Sequence, residues 1–524
     1  MTTLEIVDQP ESLRAAATID SSWDVIVVGS GLGGLSAASA LSHQGLRVLV
    51  LEQHVVPGGY AHRFLRRVRN TKRVYNFDVA LHMTGDLQPG RRLFHGLERL
   101  GVLGRIGTYR FDTAYRCVTK DSDIQVPSDA TAYRELLERA FPAFRDGIHD
   151  LFEHIREIDV GAVDCHELSR AAKLCMGLSL QTLIEQHVKD PRFLTLFTPL
   201  WPYLGLPPSQ MCAFTYLQMW SSFHFGGCYY IKGGGQSLSN AFVSIIEKNG
   251  GCVVLKESVA KIETQGGRVV GVRTEKERTF RAPVVISNAS APATFDTLLD
   301  LPALAERDRL RVAASPVSVS IHEAYVGLRG DAAALGLSDR LLFKVRNTDL
   351  DTEWNDLQQG RCAMQSSVLA NHNLSDPGCA PDGCSIVNVA MLANGRPWMN
   401  MDEATYRDAK TELSELLVER LVEELPDVRE RIEILEVGTP RTMHRYSRNP
   451  DGAIYGIAAG TRSHTYRRPS AQTGVEGLYL AGAWTFPSGG FVGSMVSGLS
   501  TADRVASHLL GDRRDPTGFG QTWV

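Results

Sequence analysis

Apolar positions along the chain fall into a few distinct patterns. Short unbroken runs at Val25–Val28, at Val48–Leu51, in APVVISNAS (282–290) and at 478–481 have the length and composition of buried strands. Three-four spacing in LERLGVLGRIG and in ATAYRELLERAFPAFRDGIHDLFEHIREI predicts amphipathic helices, so residues from about 93 to 189 read as mostly helical. Further helices are predicted for SLSNAFVSIIEKNGG, for SMVSGLSTADRVASHLL and for DEATYRDAKTELSELLVERLVEEL, the last a surface helix with i,i+4 charge pairs. Alternation in CVVLKESVAKIETQ and RVVGVRTE, joined by Gly266-Gly267, predicts a hairpin that extends the sheet of the apolar runs. VSVSIHEAYVGL and CSIVNVAMLAN read as strands of a second α/β stretch, from about 301 to 470.

Two stretches break these patterns. The first, RFLRRVRNTKRVYNF, carries Arg63, Arg66, Arg67, Arg69, Lys72 and Arg73 with no acid between them. It reads as a hairpin turning near Asn70-Thr71 with a solvated, charged edge; contact with an anionic membrane surface is the alternative. The second, residues 193–231, holds 39 residues without Asp, Glu, Lys or Arg, and eleven aromatics. Pro199, Pro202, Pro207 and Pro208 exclude a continuous spanning helix. Three readings stand: plain core, the wall of an apolar substrate channel that includes Trp201, Tyr203 and Trp220, and shallow docking on a bilayer.

The chemistry gathers at the first apolar run. Val25–Val28 leads into Gly29-Ser30-Gly31-Leu32-Gly33-Gly34, then a helix rich in small residues that Gly45 ends, then Val48–Leu51 and the acid Glu52. In a GxGxxG turn the first glycine permits the tight bend, the second lets backbone approach a pyrophosphate, and the third lets helix pack on strand. The helix N-terminus directs partial positive charge at the phosphates. Glu52, 23 residues past Gly29, has the spacing of a carboxylate that binds an adenosine ribose, with Gln53 beside it. Pro57-Gly58-Gly59 adds a second close backbone approach and favours a flavin dinucleotide over NAD. A second glycine-rich loop, Gly482 to Gly493, opens the last helix and gathers backbone N–H groups there. Gly233-Gly234-Gly235 does not repeat the fingerprint, so no second nucleotide domain is expected.

A net charge of −4 gives no reason to expect nucleic acid. Nine scattered cysteines, with Cys379 and Cys384 in a CAPDGC spacing that fits no zinc pattern, point to a reduced, cytoplasmic setting and no metal. The first 22 residues lack the apolar segment of a signal peptide, and no run of eighteen apolar residues occurs. Membrane association stays open as an alternative to a freely cytoplasmic protein.

GSGLGGLSAASAL, LEQHVVPGG, FDVALH, LGLPPSQ, YYIKGGGQSLSNAF, APVVISNAS, GTPRTMHRYSRNPDGAIYG and GLYLAGAWTFPSGGFVGS resemble the phytoene desaturase, carotenoid isomerase and retinol saturase group of flavoproteins, from about residue 24 to 510. The resemblance implies an α/β chain with an amine-oxidase-like two-domain architecture. A discontinuous Rossmann-type FAD-binding domain (23–99, 229–300, 470–512) would interleave with an α+β substrate domain (100–228, 301–469), with terminal extensions at 1–22 and 513–524. It further implies one FAD per chain, held by Gly29, Ser30, Gly31, Leu32, Gly33, Gly34, Glu52, Gln53, Gly58, Gly59, Tyr60, Val259, Gly482, Ala483, Gly490, Phe491 and Val492. Related amine oxidases carry Arg where Tyr60 stands and an acid where Ala483 stands, and Ala80 replaces a common Gly.

The activity expected is hydride transfer between the flavin and an apolar, conjugated polyene-like substrate, as desaturation, saturation or isomerisation. Conjugation delocalises developing charge, so no strong protein base is required. His82 is the candidate for handling or orienting a proton; a structural histidine bonded to backbone is the plainer alternative. His444 and Tyr455, with Arg445, fall in a segment expected to return to the substrate cavity, and Lys232 reads as a solvated loop edge. Two other classes compete: an amine or amino-acid oxidase on the same fold, and a flavin-free prenyl-binding protein of the GDP-dissociation-inhibitor type. The sequence leaves the oligomeric state open.

Overall fold

The computed structural model describes residues 20–161 and 167–511. The terminal extensions fall outside them, apart from residues 20–22. Four of the buried runs and a fifth strand form one parallel sheet, ordered Leu478–Leu480, Val284–Ser287, Val25–Val28, Val48–Leu51, Cys252–Val254. Every residue of Val25–Val28 and Val48–Leu51 is buried, because helices cover one face and a second sheet covers the other. Val25, Val27, Val48 and Val50 pack against the helices Leu32–His43, Gly234–Lys248 and Gly490–Leu510. Ile26, Val28, Leu49 and Leu51 pack against Ile262, Val269, Val272 and Phe280 of a three-stranded antiparallel sheet.

That small sheet corrects an expectation. The CVVLKESVAKIETQ run is two strands: Cys252–Val254 joins the parallel sheet, whereas Val259–Gln265 pairs with Arg268–Thr274 in the separate sheet. Lys256, at φ 56°, reverses the chain between them, a break that alternation alone does not reveal. The stretch 93–189 is also less helical than its spacing predicts. Its helices Arg92–Leu100, Ala130–Ala140 and Arg145–Ile158 are present, but Thr113–Val118 and Asp123–Pro127 are strands.

These two strands close the edge of a seven-stranded sheet, ordered Ile432–Gly438, Ser320–Arg329, Cys384–Ala393, Ser367–Asn371, Leu341–Lys344, Thr113–Val118, Asp123–Pro127. One face packs Ala324, Val326, Leu342, Leu369 and Val389 against Leu413, Leu417 and Leu421 of the Glu403–Val422 helix. Acids of this helix meet cations from outside it: Glu403 pairs with Arg441, and Glu415 and Glu419 with Arg429. The opposite face looks into the cavity described below.

The basic run forms the expected hairpin, Arg63–Arg67 with Val74–Asp78, and Asn70 adopts φ 58° in its turn. Its charges are not all solvated. Arg66 meets Glu436 at 2.6 Å, Arg73 forks onto Glu433, and Arg63 is buried between Asp376 and Asp78. The hairpin is therefore fastened to the large sheet by ion pairs. No helix among the described residues is long and apolar enough to cross a membrane.

Candidate active site

The first turn folds as its glycines dictate. Gly29 sits at φ +93°, which reverses the chain immediately after the strand. A Cβ at Gly34 would stand 2.2 Å from the Gly29 carbonyl and 3.1 Å from Val27, so only hydrogen lets the helix lie this close to the strand. A Cβ at Gly33 would stand 2.6 Å from the backbone of Gly482, and one at Gly31 would stand 2.6 Å from Asn288. The two glycine-rich loops, more than 440 residues apart in sequence, thus meet around the Asn288 side chain. Gly58 bridges to Gly31, and Gly58 N–H donates to the Ser30 carbonyl at 3.0 Å, which brings the Pro57-Gly58-Gly59 loop to the same point.

Helices Leu32–His43 and Gly490–Leu510 both begin at glycine, Gly31 and Gly489, and neither has a side chain capping its first N–H groups. Both N-termini line one cavity of about 1180 Å³. Uncapped donors at the positive ends of two helices form a ready anion site. Glu52 is buried beside it. Its carboxylate accepts from Ser30 N at 2.8 Å, Ser30 Oγ at 2.7 Å and His54 N at 2.8 Å. The acid expected at a ribose therefore also braces the phosphate turn.

The same cavity is lined by Gly29, Gly31, Leu32, Gly33, Glu52, Gln53, Gly58, Gly59, Tyr60, Val259, Gly482, Ala483, Gly490, Phe491 and Val492. Ser30 and Gly34 stand behind this lining and support the turn. Tyr60 Oη is buried beside Ser447 and Asn449, and burial pushes the phenol up to about 12 against the opposing pull of those two side chains. Glycine walls that exclude side chains, two uncapped helix ends and an oriented acid fit the adenosine, diphosphate and ribityl parts of FAD. Bound there, FAD supplies two-electron redox chemistry, which the protein positions and shields.

From the cradle the cavity continues between the large sheet and the uncharged stretch. Trp201, Tyr203, Leu204, Phe343, Val368 and Leu392 wall this part. The 39-residue stretch is divided between two tasks. Trp201, Tyr203 and Phe223 reach the cavity, whereas Phe197 and Trp220 pack with Tyr133 and Phe152 in the core and Phe193 stacks on Phe197. Trp220 is therefore not a lining residue. It is fully buried, 4.3 Å from the His224 ring and 6.1 Å from Tyr133, on the face of its helix turned away from the cavity.

His82 also lines the cavity. Tyr203 Oη lies 3.2 Å from Nδ1, and Glu323 Oε1 lies 3.9 Å from Nε2, which has no hydrogen-bond partner among the described residues. Glu323 is buried and accepts from Asn388 Nδ2 at 2.9 Å. Arg340 donates to the His82 carbonyl at 3.2 Å, and burial draws its guanidinium down to about 10. The ring of His372 lies 6.4 Å away, and burial, helped by nearby His82, holds that imidazole well below its usual range. Tyr203, His82 and Glu323 thus gather polar groups able to hold a proton beside the apolar walls, and Asp86, Arg91, Lys344 and Glu353 add further ionic groups elsewhere along the cavity lining. Tyr455 and His444 line the same cavity; His444 is exposed, with Nδ1 2.7 Å from the Asn449 carbonyl, and its neighbour Tyr446 packs against Gln53 and His54. Lys232 lies outside the cavity, its N–H bonded to the Gly107 carbonyl.

Sequence reasoning missed Asn288 and Glu323. A signal for Glu323 was present: His322-Glu323 is a polar pair inside an apolar strand, and successive residues of a strand point to opposite faces. His322 turns outward against Trp398 at 5.1 Å and is held neutral by burial, down to about 3. Glu323 turns inward.

The two-sheet architecture and the nucleotide cradle define a flavin-dependent oxidoreductase. The family model for flavin containing amine oxidoreductases matches residues 32–506, and the chain belongs to that family. It is 26% identical over 526 residues to prolycopene isomerase 2 of an Oncidium hybrid cultivar, covering 94% of this chain and 85% of that one. It is 25% identical over 551 residues to the all-trans-retinol 13,14-reductase of Danio rerio, covering 94% and 88%. Among solved structures it resembles an oxidoreductase from Methanosarcina mazei, with a TM-score of 0.64, 18% identity, and coverage of 91% and 99%. The cofactor is FAD, and the chain is an FAD-dependent oxidoreductase.

Proposed function

We propose that this enzyme rearranges, oxidises or reduces carbon–carbon double bonds of a conjugated, apolar substrate. The observation that carries the reading is the chamber beyond the cofactor cradle, walled by Trp201, Tyr203, Leu204, Phe343, Val368 and Leu392. Such walls favour a hydrocarbon chain by area removed from water, at roughly 25 cal/mol per Å². Relatives named for prolycopene isomerisation and retinol reduction support the same class.

The roles of the chain's own side chains follow from the geometry. The aromatic and aliphatic walls hold the polyene and exclude water. His82, between the Tyr203 hydroxyl and the Glu323 carboxylate, holds or delivers a proton at a substrate carbon facing it. Tyr203 orients the imidazole through Nδ1, and Glu323, kept in place by Asn388 and 3.9 Å from Nε2, offsets positive charge that develops nearby.

Product analysis tests the reading. All-trans and cis polyenes incubated anaerobically with the flavoprotein should give a product two hydrogens lighter or heavier, or a geometrical isomer of unchanged mass. Unaltered polyenes, together with peroxide release from a primary amine in air, would instead identify an amine oxidase.

A further inference from the structure

Arg468 is a buried cation that the reading so far leaves unused. It is 4% exposed and lines the cavity on the cofactor side. One terminal nitrogen donates to the Ala483 carbonyl at 2.7 Å and the other to the Ile457 carbonyl at 2.5 Å. Nε–H is buried and donates to nothing among the described residues. No carboxylate stands within ion-pair reach of it among the described ion pairs, and burial draws the guanidinium down to about 10 with no acid opposing the effect. A guanidinium removed from water without a counter-charge is costly, and such groups are found paired with an anion.

The location says which anion. Ala483 follows Gly482, whose backbone is the surface that a Cβ at Gly33 would strike at 2.6 Å. Arg468 therefore grips the loop that abuts the GxGxxG turn. Tyr60, a neutral buried phenol, occupies the place after the Gly58-Gly59 pair, so that position supplies no positive charge. A second cation, Arg311, also lines the cavity and ties down the carbonyls of Arg467 and Arg468, each at 3.0 Å. We infer that Arg468 is the counter-charge for the diphosphate of FAD. It clamps the Ala483 loop with two N–H groups and gives the dinucleotide a fixed positive charge that the glycine turns alone do not provide. The inference concerns the cofactor and is independent of the substrate.

The test compares Arg468→Gln, which keeps a donor for one carbonyl but loses the charge, with Arg468→Lys, which keeps the charge but loses the fork. FAD release from purified holoprotein is followed by the fluorescence of freed FAD on dilution, and the midpoint potential is measured on the flavin retained. Loss of one charged hydrogen bond should weaken FAD binding roughly 10- to 100-fold in R468Q, with R468K in between and the potential unchanged. FAD held by R468Q as tightly as by the wild type would overturn the inference. Equal weakening in both variants would also overturn it, because a loop clamp without an electrostatic role behaves so. A changed potential with FAD still tightly held would place the cation at the ring rather than the diphosphate.

Discussion

Replacing Gly33 by alanine tests the joint between the two glycine-rich loops. The added Cβ would lie 2.6 Å from the N and Cα of Gly482 and 2.6 Å from Asn288 Oδ1, whereas ordinary contact begins at 3.4 Å. The loops must part by the difference, about 0.8 Å. Neither side yields easily. Gly482 N–H is bonded to Ser497 Oγ at 2.9 Å, and a Cβ at Gly498 of the same helix would stand 2.1 Å from the Gly33 carbonyl, so this helix pair is already in backbone contact. Overpacking of this kind costs about 1–3 kcal/mol. Because Gly33 and Gly482 both line the cofactor cradle, most of that cost should appear as lost FAD affinity, roughly 5- to 150-fold. The control is Gly45→Ala. Gly45 also has positive φ, +85°, but a Cβ there meets nothing within 4 Å, so the change strains the backbone without touching the cradle. Flavin-to-protein ratio after ultrafiltration and thermal unfolding with added FAD separate the two. G45A should lose stability and keep flavin; G33A should lose flavin. A G33A protein that retains stoichiometric FAD with wild-type affinity would refute the reasoning.

Three further outcomes follow from the geometry. His82→Ala should keep FAD and lower turnover by about 10²-fold or more, the ordinary contribution of a positioned proton donor or acceptor; full activity would reduce His82 to scaffolding. Trp220→Ala should destabilise the fold by about 3–5 kcal/mol, read from denaturant unfolding, without altering substrate preference, because the indole is core and not cavity wall. Burial pushes the Glu353 carboxyl up to about 7 against an ordinary 4.5, despite its bonds from Ser366 N and Oγ at 2.8 Å. A raised carboxyl favours the folded state fully below pH 4.5, and that contribution is lost as the pH climbs through 7. As the pH rises through that window Glu353→Gln should gain on the wild type, by up to about 3.5 kcal/mol once above it, from the gap of 4.5 to 7 at about 1.4 kcal/mol per pH unit; parallel stability curves for the two proteins would contradict this.

What the sequence made legible was local. Strand, turn, helix, strand and acid lie within thirty residues, so the residues from Val25 to Glu52 could be read without knowing what packs on them. The 39-residue uncharged stretch was likewise visible as apolar, but its division between core and cavity was not. That division depends on which helix face meets Tyr133 and Phe152, partners drawn from another segment of the chain. Asn288 and Arg468 were hidden for the same reason. Each gains its meaning from a loop far away in sequence, Asn288 from the meeting of Gly31, Gly33 and Gly482, and Arg468 from the carbonyls of Ile457 and Ala483. Strand 259–265 was misassigned because alternation predicts a half-buried strand and says nothing of which sheet it joins.

The most direct test of the central claim is an anaerobic titration of the yellow holoprotein followed at the flavin absorbance. The account predicts that a conjugated polyene perturbs or bleaches the flavin band in a saturable manner and that a primary amine leaves it unchanged. Rapid bleaching by the amine with no response to any polyene, or a purified protein that carries no flavin, would contradict it.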